Sequence, residues 1–255
     1  NANIGTTTGN TIGATTGSGS IYTACSTTGG TAVGIYATTT NSVSIQNNSI
    51  GAFDAVGTTA TTTGGFTGID GAGTAGVLSI TNNNIGNASA DNIRTGYTLL
   101  SGNLSNAGVL TSSTGATSAI VGARSSSTGT PLAITGNTLR GWATSGTVTT
   151  VTGISSTGAV ASTVNLNSNL LGTASLDWIR YAVANSGTLT GINCTGATTA
   201  TTISIQSNNI RGITYSVAGS GANTYINITG ATATNVIATV ASNLFTNLNV
   251  NTTGA

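Results

Sequence analysis

Apolar residues along this chain come in short alternating pairs, not in long runs and not at helical spacing. One pattern recurs: apolar, any, apolar, two of any kind, asparagine, any, apolar, and often glycine. Its clearest copies are Val43-Ser-Ile45 leading to Asn48-Ser-Ile50-Gly51, and Leu78-Ser-Ile80 leading to Asn83-Asn-Ile85-Gly86. Leu132-Ala-Ile134 with Asn137-Thr-Leu139, Val164-Asn-Leu166 with Asn169-Leu-Leu171, and Ile203-Ser-Ile205 with Asn208-Asn-Ile210 follow. A worn copy, Ala238-Thr-Val240 with Asn243-Leu-Phe245, and a partial one at Asn10-Thr-Ile12-Gly13, complete the set.

Each block reads as a short strand, a tight bend marked by the Asn, and another short strand. Alternation sends both apolar side chains of the first strand to one face. At the bend, an Asn amide can bond backbone groups or the Asn of a coil stacked at about 4.8 Å. A second mark precedes most blocks: Gly34-Ile35, Gly68-Ile69, Gly153-Ile154 and Gly191-Ile192, with looser versions at Gly122-Ala123 and Asn227-Ile228. It reads as a further strand of the same coil, entered through a glycine. Length varies between the Asn bend and the next Gly-Ile mark, which places variable loops on one face. The longest such stretch, from Ile85 to Ala123, holds an extra coil or a protruding loop.

A repeat of mostly 35–39 residues is too short to bury a core of its own. Stacked in parallel, such repeats share one continuous core. The expected core residues are Ile45, Ile50, Ile80, Ile85, Ile134, Leu139, Leu166, Leu171, Ile205 and Ile210. The expected Asn ladder is Asn10, Asn48, Asn83, Asn137, Asn169, Asn208 and Asn243. No regular Asn-Gly hairpins favour an antiparallel meander. The reading is all-β: a right-handed, single-stranded parallel β-helix of about seven coils over 1–255, a rod near 34 Å long at about 4.8 Å per coil. It is one solenoid segment, expected to be an excerpt of a longer array.

Composition sharpens this picture. Hydrophobic residues make up 38% of the chain and the net charge is +1, which argues against disorder. Only 4% of residues are charged, leaving no electrostatic footprint for nucleic acid or anionic lipid. No run approaches the roughly 18 apolar residues of a membrane span.

The Asn-x-Ile-Gly blocks and Gly-Ile marks resemble the parallel β-helix repeats of pectin-lyase-like proteins. Asn10-Thr-Ile-Gly13, Asn87-Ala-Ser-Ala-Asp-Asn-Ile-Arg94 and Thr173-Ala-Ser-Leu-Asp-Trp-Ile-Arg180 resemble giant secreted surface repeat proteins of Bacteroidota more closely still. The likeness covers nearly the whole chain. It implies an exported, extracellular or cell-surface protein, often delivered by type IX secretion.

Catalytic chemistry finds little footing. The chain has no His and no Lys, so its many Ser residues have no ordinary general base. Cys25 and Cys194 fit no zinc or redox spacing, and two buried thiols are expected. Gly71-Ala-Gly-Thr-Ala-Gly76 matches a dinucleotide fingerprint, but a strand pattern follows where a helix is required. Paired carboxylates for a polysaccharide lyase or hydrolase have only Asp54 with Asp70, in one coil, as a candidate. Asp91 and Asp177 hold equivalent loop positions two coils apart, and the pairs Asp91–Arg94 and Asp177–Arg180 are read as local loop ion pairs. The aromatics follow no single coil position and are assigned to packing under loops. Threonine tracts such as Thr58–Thr63 raise ice binding but fall in variable loops.

No cofactor or metal is expected. The expected role is a non-enzymatic structural shaft or adhesin-like segment. Its partners are other segments of the array, copies of itself, or a surface glycan or host or substratum ligand. A self-assembling extracellular filament subunit is the alternative, with an ice-binding protein and a polysaccharide-cleaving enzyme behind it.

Overall fold

In the computed structural model, each Asn-marked block becomes one coil of a parallel β-solenoid. Residues 1–255 are described apart from 28, 29, 39, 60, 74, 75, 100–109, 113–116, 130, 198–201, 230–235 and 251–255. Every described strand is short, and no helix occurs among the described residues. The first face stacks seven strands, from Ala2–Ile4 through Val43–Gln46 and onward to Ile237–Ala241. The third face stacks six, from Thr31–Thr38 to Asn223–Ile228. The solenoid therefore has six complete turns and a partial seventh, one short of seven full coils.

The second face lies between them and is built in two halves that share one thirteen-stranded sheet. Its inner half carries the x-Ile of each block, as in Ser49–Gly51 and Asn84–Ile85. Its outer half runs through Ile21–Cys25, Phe53–Gly57, Ile93–Leu99, Trp142–Thr144 and Ile179–Tyr181. Both halves merge in Asn209–Tyr215. The outer half belongs to the stretch read from sequence as variable loop. Its signal was one inward apolar residue per coil, in the register Ile21, Phe53, Ile93, Trp142, Ile179, Ile213.

Parallel stacking places like on like. Ile45 pairs in register with Ile80 and then Ile134, and Ile50 with Ile85, Leu139, Leu171 and Ile210. All of these side chains, with Leu166 and Ile205, have no solvent exposure. Each is covered by coils above and below, and this shared burial stabilises repeats that could not fold singly.

The Gly-Ile mark has a steric cause. Its glycine sits against the apolar residue of the next coil's block. A Cβ at Gly68 would stand 2.6 Å from Ile85 Cγ2, at Gly122 2.2 Å from Leu139 Cδ2, and at Gly153 2.4 Å from Leu171 Cδ2. The two sequence marks are thus the two halves of one contact. At the last described coil the register aligns Ile226 with Ile192, so the worn mark is Tyr225-Ile226, not Asn227-Ile228.

The stretch between Ile85 and Ala123 is not an extra coil. Ile93–Leu99 pairs with Phe53–Gly57 on one side and Trp142–Thr144 on the other, so it occupies a single rung. Leu110–Ser112 then returns antiparallel along Ile93–Leu99. Much of the remainder lies outside the described residues, as do Thr74 and Ala75 of the glycine-rich run.

Candidate functional site

The ladder is the most continuous polar feature. Asn10, Asn48, Asn83, Asn137, Asn169, Asn208 and Asn243 form one axial chain. The Nδ2 of Asn48 donates to Asn83 Oδ1 at 2.9 Å, Asn83 to Asn137 at 3.0 Å, Asn137 to Asn169 at 3.1 Å and Asn169 to Asn208 at 3.1 Å. Asn10 and Asn208 make the same bond to Asn48 and Asn243, at 2.8 and 2.9 Å. From Asn48 to Asn243 each Oδ1 also accepts the backbone N–H of the preceding rung's Asn, as Asn137 Oδ1 does from Asn83 at 3.0 Å. The second Nδ2 proton goes back to a carbonyl, for example from Asn137 to Ile80 at 2.9 Å and from Asn169 to Ile134 at 2.9 Å. Each interior amide thus has its donors and acceptor occupied while buried, which meets the requirement on buried polar groups.

The Asn is not itself the bend. The residue before it takes the left-handed conformation: Asn47 at φ 58°, Asn82 at 56°, Gly136 at 67°, Ser168 at 58°, Ser207 at 57° and Ser242 at 56°. Asn, Ser and Gly at that position accommodate φ > 0 with less cost than branched residues, and the bend swings the following Asn side chain into the axial stack.

The charged residues pair differently from the local loop pairs expected. Asp91 does not pair with Arg94, nor Asp177 with Arg180. Arg94 binds Asp54 through Nε at 2.7 Å and Nη2 at 2.5 Å, and Arg180 binds Asp91 through Nε at 3.1 Å and Nη2 at 2.5 Å. Asp177 instead accepts from the Thr214 hydroxyl at 2.7 Å. Strand register explains the exchange. Tyr22, Asp54, Arg94, Ala143, Arg180 and Thr214 form one outward column on the second face. An arginine in that column reaches along the axis more directly than back around its own loop. Asp91 crosses from the third coil to Arg180 in the fifth, past the small Ala143. Burial raises the Asp54 carboxyl above its ordinary range, with Arg94 acting in the opposite direction.

The aromatics are more ordered than their spacing suggested. Tyr181 and Tyr215 are register partners, stacked at 4.3 Å. Trp142 and Trp178 meet edge-to-face at 5.8 Å. Cys25 and Cys194 are free and buried, and burial pushes the Cys194 thiol up to about 11.

The third face carries a cleft of about 530 Å³, lined by Tyr36, Asp70, Val121, Arg124, Thr152 and Ser155 among others. Its floor is a column that continues as Tyr36, Asp70, Arg124, Ser155, Asn193 and Asn227 in strict register. Tyr36 is 60% exposed. Arg124 Nη2 donates to Asp70 Oδ2 at 2.7 Å, and Asn227 Nδ2 to Asn193 Oδ1 at 2.8 Å. Beside it runs a column of β-branched residues: Val33, Thr67, Val121, Thr152, Thr190 and Thr224. Sequence reading passed over the column that starts at Tyr36, although its positional signal was present. Each member follows the Gly-Ile mark by one residue, and alternation sends that residue outward. Asp54 and Asp70, the candidate carboxylate pair, lie on different faces of the coil, each bonded to its own arginine.

A neutral ion pair, amides, hydroxyls and one exposed phenol ring offer hydrogen bonds and a stacking surface. Among the described residues no group of three or more His, Cys, Asp or Glu could hold a metal ion, and no helix is long and apolar enough to cross a membrane. Fold and site define a parallel β-solenoid repeat protein. The chain matches no protein-family model, no curated protein and no solved structure.

Proposed function

We propose that the chain is a non-enzymatic structural shaft, an adhesin-like segment of an exported cell-surface protein. The observation that carries this reading is the Asn ladder, which runs unbroken through seven rungs. A buried axial chain of this kind resists bending and slippage between coils, because a shift of one residue would leave several amides unpaired at once. Rigidity along an axis is what a stalk requires and what a catalytic pocket does not. The likeness to secreted Bacteroidota repeat proteins supports export, with type IX secretion as the route.

The third-face cleft is the contact surface in this reading, and its ligand is a neutral surface glycan. Asp70 and Arg124 cancel in charge, Tyr36 offers an exposed ring, and the polar column repeats along the axis as the hydroxyls of an extended polymer do. Retention on immobilised neutral polysaccharides tests this, with Tyr36→Ala and Arg124→Ala expected to weaken it. Release of reducing or unsaturated sugar ends during the same incubation would replace the shaft with a polysaccharide-cleaving enzyme. Protease shaving of intact cells that make the parent protein checks export. A filament subunit is the second reading, since parallel coils pair edge to edge along one axis in this fold.

A further inference from the structure

Five arginines face four aspartates in this chain. Three pairs cancel: Arg94 with Asp54, Arg124 with Asp70 and Arg180 with Asp91. Asp177 takes the Thr214 hydroxyl instead. That leaves Arg140 and Arg211, and among the described residues neither guanidinium makes a hydrogen bond or an ion pair. We propose that these two arginines are equivalent anion contacts, which hold the oxyanions of an acidic polysaccharide lying along the rod.

Strand register makes the two positions equivalent. Ile85, Leu139, Leu171 and Ile210 stack in register, so the residues that follow them, Gly86, Arg140, Gly172 and Arg211, form the next column. Each arginine is followed by a glycine in the left-handed conformation, Gly141 at φ 68° and Gly212 at φ 66°. The same Arg-Gly corner therefore recurs two rungs apart, about 9.6 Å along the axis at about 4.8 Å per rung. Between them Gly172 brings no side chain, and the loop of residues 173–177 follows it. A Cβ at Gly141 would stand 3.3 Å from Leu176 Cδ2, and one at Gly212 2.6 Å from the Asp177 Cα, so that loop rests on both corners.

Packing fixes which end of each guanidinium is offered. The Nε of Arg140 and of Arg211 is buried without a partner, whereas Nη1 and Nη2 of both, equally unpartnered, are not buried. Arg94 and Arg180 grip their aspartates through Nε and Nη2. At Arg140 and Arg211 that side is closed, and the two terminal nitrogens remain to donate in parallel to a carboxylate, sulfate or phosphate. The chain's own spare acid does not fill the role. Asp177 touches both corners, its carbonyl accepting the Gly141 N–H at 2.8 Å, yet neither arginine takes its carboxylate. With the three pairs cancelled, the net charge of +1 belongs to Arg140, Arg211 and Asp177. An identical contact repeated along an axis suits a linear ligand whose charges also repeat. The site lies on the second face and is independent of the third-face cleft.

The test is retention of the 255-residue chain on three matrices of one backbone: dextran sulfate, carboxymethyl dextran and neutral dextran. Retention is expected on an anionic matrix at low ionic strength, with loss as salt screens the contact, and none on neutral dextran; the better of the two anionic matrices names the oxyanion. Arg140→Gln and Arg211→Gln should each weaken retention several-fold, and the double variant should elute with the neutral control. Equal retention of the double variant and wild type, or equal retention on all three matrices, overturns the proposal. Asp177→Asn keeps an acceptor for Thr214 and removes the one negative charge beside the arginines, so it should strengthen retention. Unchanged or weaker retention of that variant counts against the site even where an arginine variant fails to fold.

Discussion

Asn137→Asp isolates the ladder's contribution, because the replacement keeps the shape of the side chain and exchanges the NH₂ for an oxygen. Asn137 Nδ2 donates to Asn169 Oδ1 at 3.1 Å and to the Ile80 carbonyl at 2.9 Å. In the variant both acceptors lose that donor and face an oxygen instead. Asn169 Oδ1 keeps the Asn137 backbone N–H at 3.1 Å, so each lost bond counts for about 0.5–1.5 kcal/mol, and the two together for about 1–3 kcal/mol before any charge is counted. A domain's whole stability is about 5–15 kcal/mol, so the shift in urea midpoint should be large. Asn10→Asp is the control. Asn10 is exposed and its Nδ2 makes one ladder bond, so its midpoint should move far less.

The pH dependence supplies a second check. An aspartate walled in by oxygens and protein has its carboxyl raised above the unfolded value by desolvation and repulsion. A folded value above the unfolded one means that the acid form is favoured in the native state. The variant's penalty is therefore smallest below the unfolded range and grows as pH rises through the folded value. Urea midpoints followed by circular dichroism at pH 3 and pH 7 (about the ends of that window) should lie closer to wild type at the acid end. Equal midpoints for Asn137→Asp and wild type at neutral pH, or equal effects at positions 137 and 10, would refute the claim that the buried ladder holds the coils together.

Gly153→Ala tests the contact between the two sequence marks: its Cβ would stand 2.4 Å from Leu171 Cδ2 and 2.6 Å from the Gly191 carbonyl. Overpacking of this kind costs about 1–3 kcal/mol, and Leu171→Val should recover part of it in thermal melts; strictly additive losses would show that the clash is not with Leu171. The Asp54 carboxyl is raised in the folded state, so it contributes stability at acid pH that is lost as pH rises through its folded value. Asp54→Asn removes this component, and a pH–stability profile of the variant that runs parallel to wild type contradicts the assignment. Cys194, with its thiol held up at about 11, should resist iodoacetamide in native protein near neutral pH and react after unfolding in urea. Mass spectrometry reads the outcome, and native alkylation at the pace of a free thiol counts against its burial.

The coil repeat was legible because parallel stacking forces the same residue type onto the same rung. Ile50, Ile85, Leu139 and Leu171 announce their column by apolar character alone, and the asparagines announce theirs because a buried amide can be satisfied by its own kind above and below. Legibility failed where the cause lies between coils. Arg180 finds Asp91 two coils away because its side chain reaches along the axis past the small Ala143, a neighbourhood that sequence distance does not encode. Trp142 was hidden in apparent loop because its strand is three residues long, too short for alternation to stand out. Tyr36, Asp70 and Arg124 share a column but no chemistry, so nothing repeated to draw attention to them.

That last contrast separates scaffold from surface in this fold. Inward columns are uniformly apolar, since each residue must fill the dry space left by the coil before it. Outward columns are free to vary from rung to rung without cost to stacking. The first-face outward column shows little variation in size and no charge: Asn3, Ser44, Ser79, Ala133, Asn165, Ser204 and Thr239. The third-face column Tyr36, Asp70, Arg124, Ser155 departs from that baseline within four successive coils. The second-face column Tyr22, Asp54, Arg94, Ala143, Arg180, Thr214 departs as well, but Asp54 is fully buried there whereas Tyr36 stands 60% exposed on the third face, so Tyr36→Ala should alter what the proposed glycan surface holds while leaving the melting unchanged.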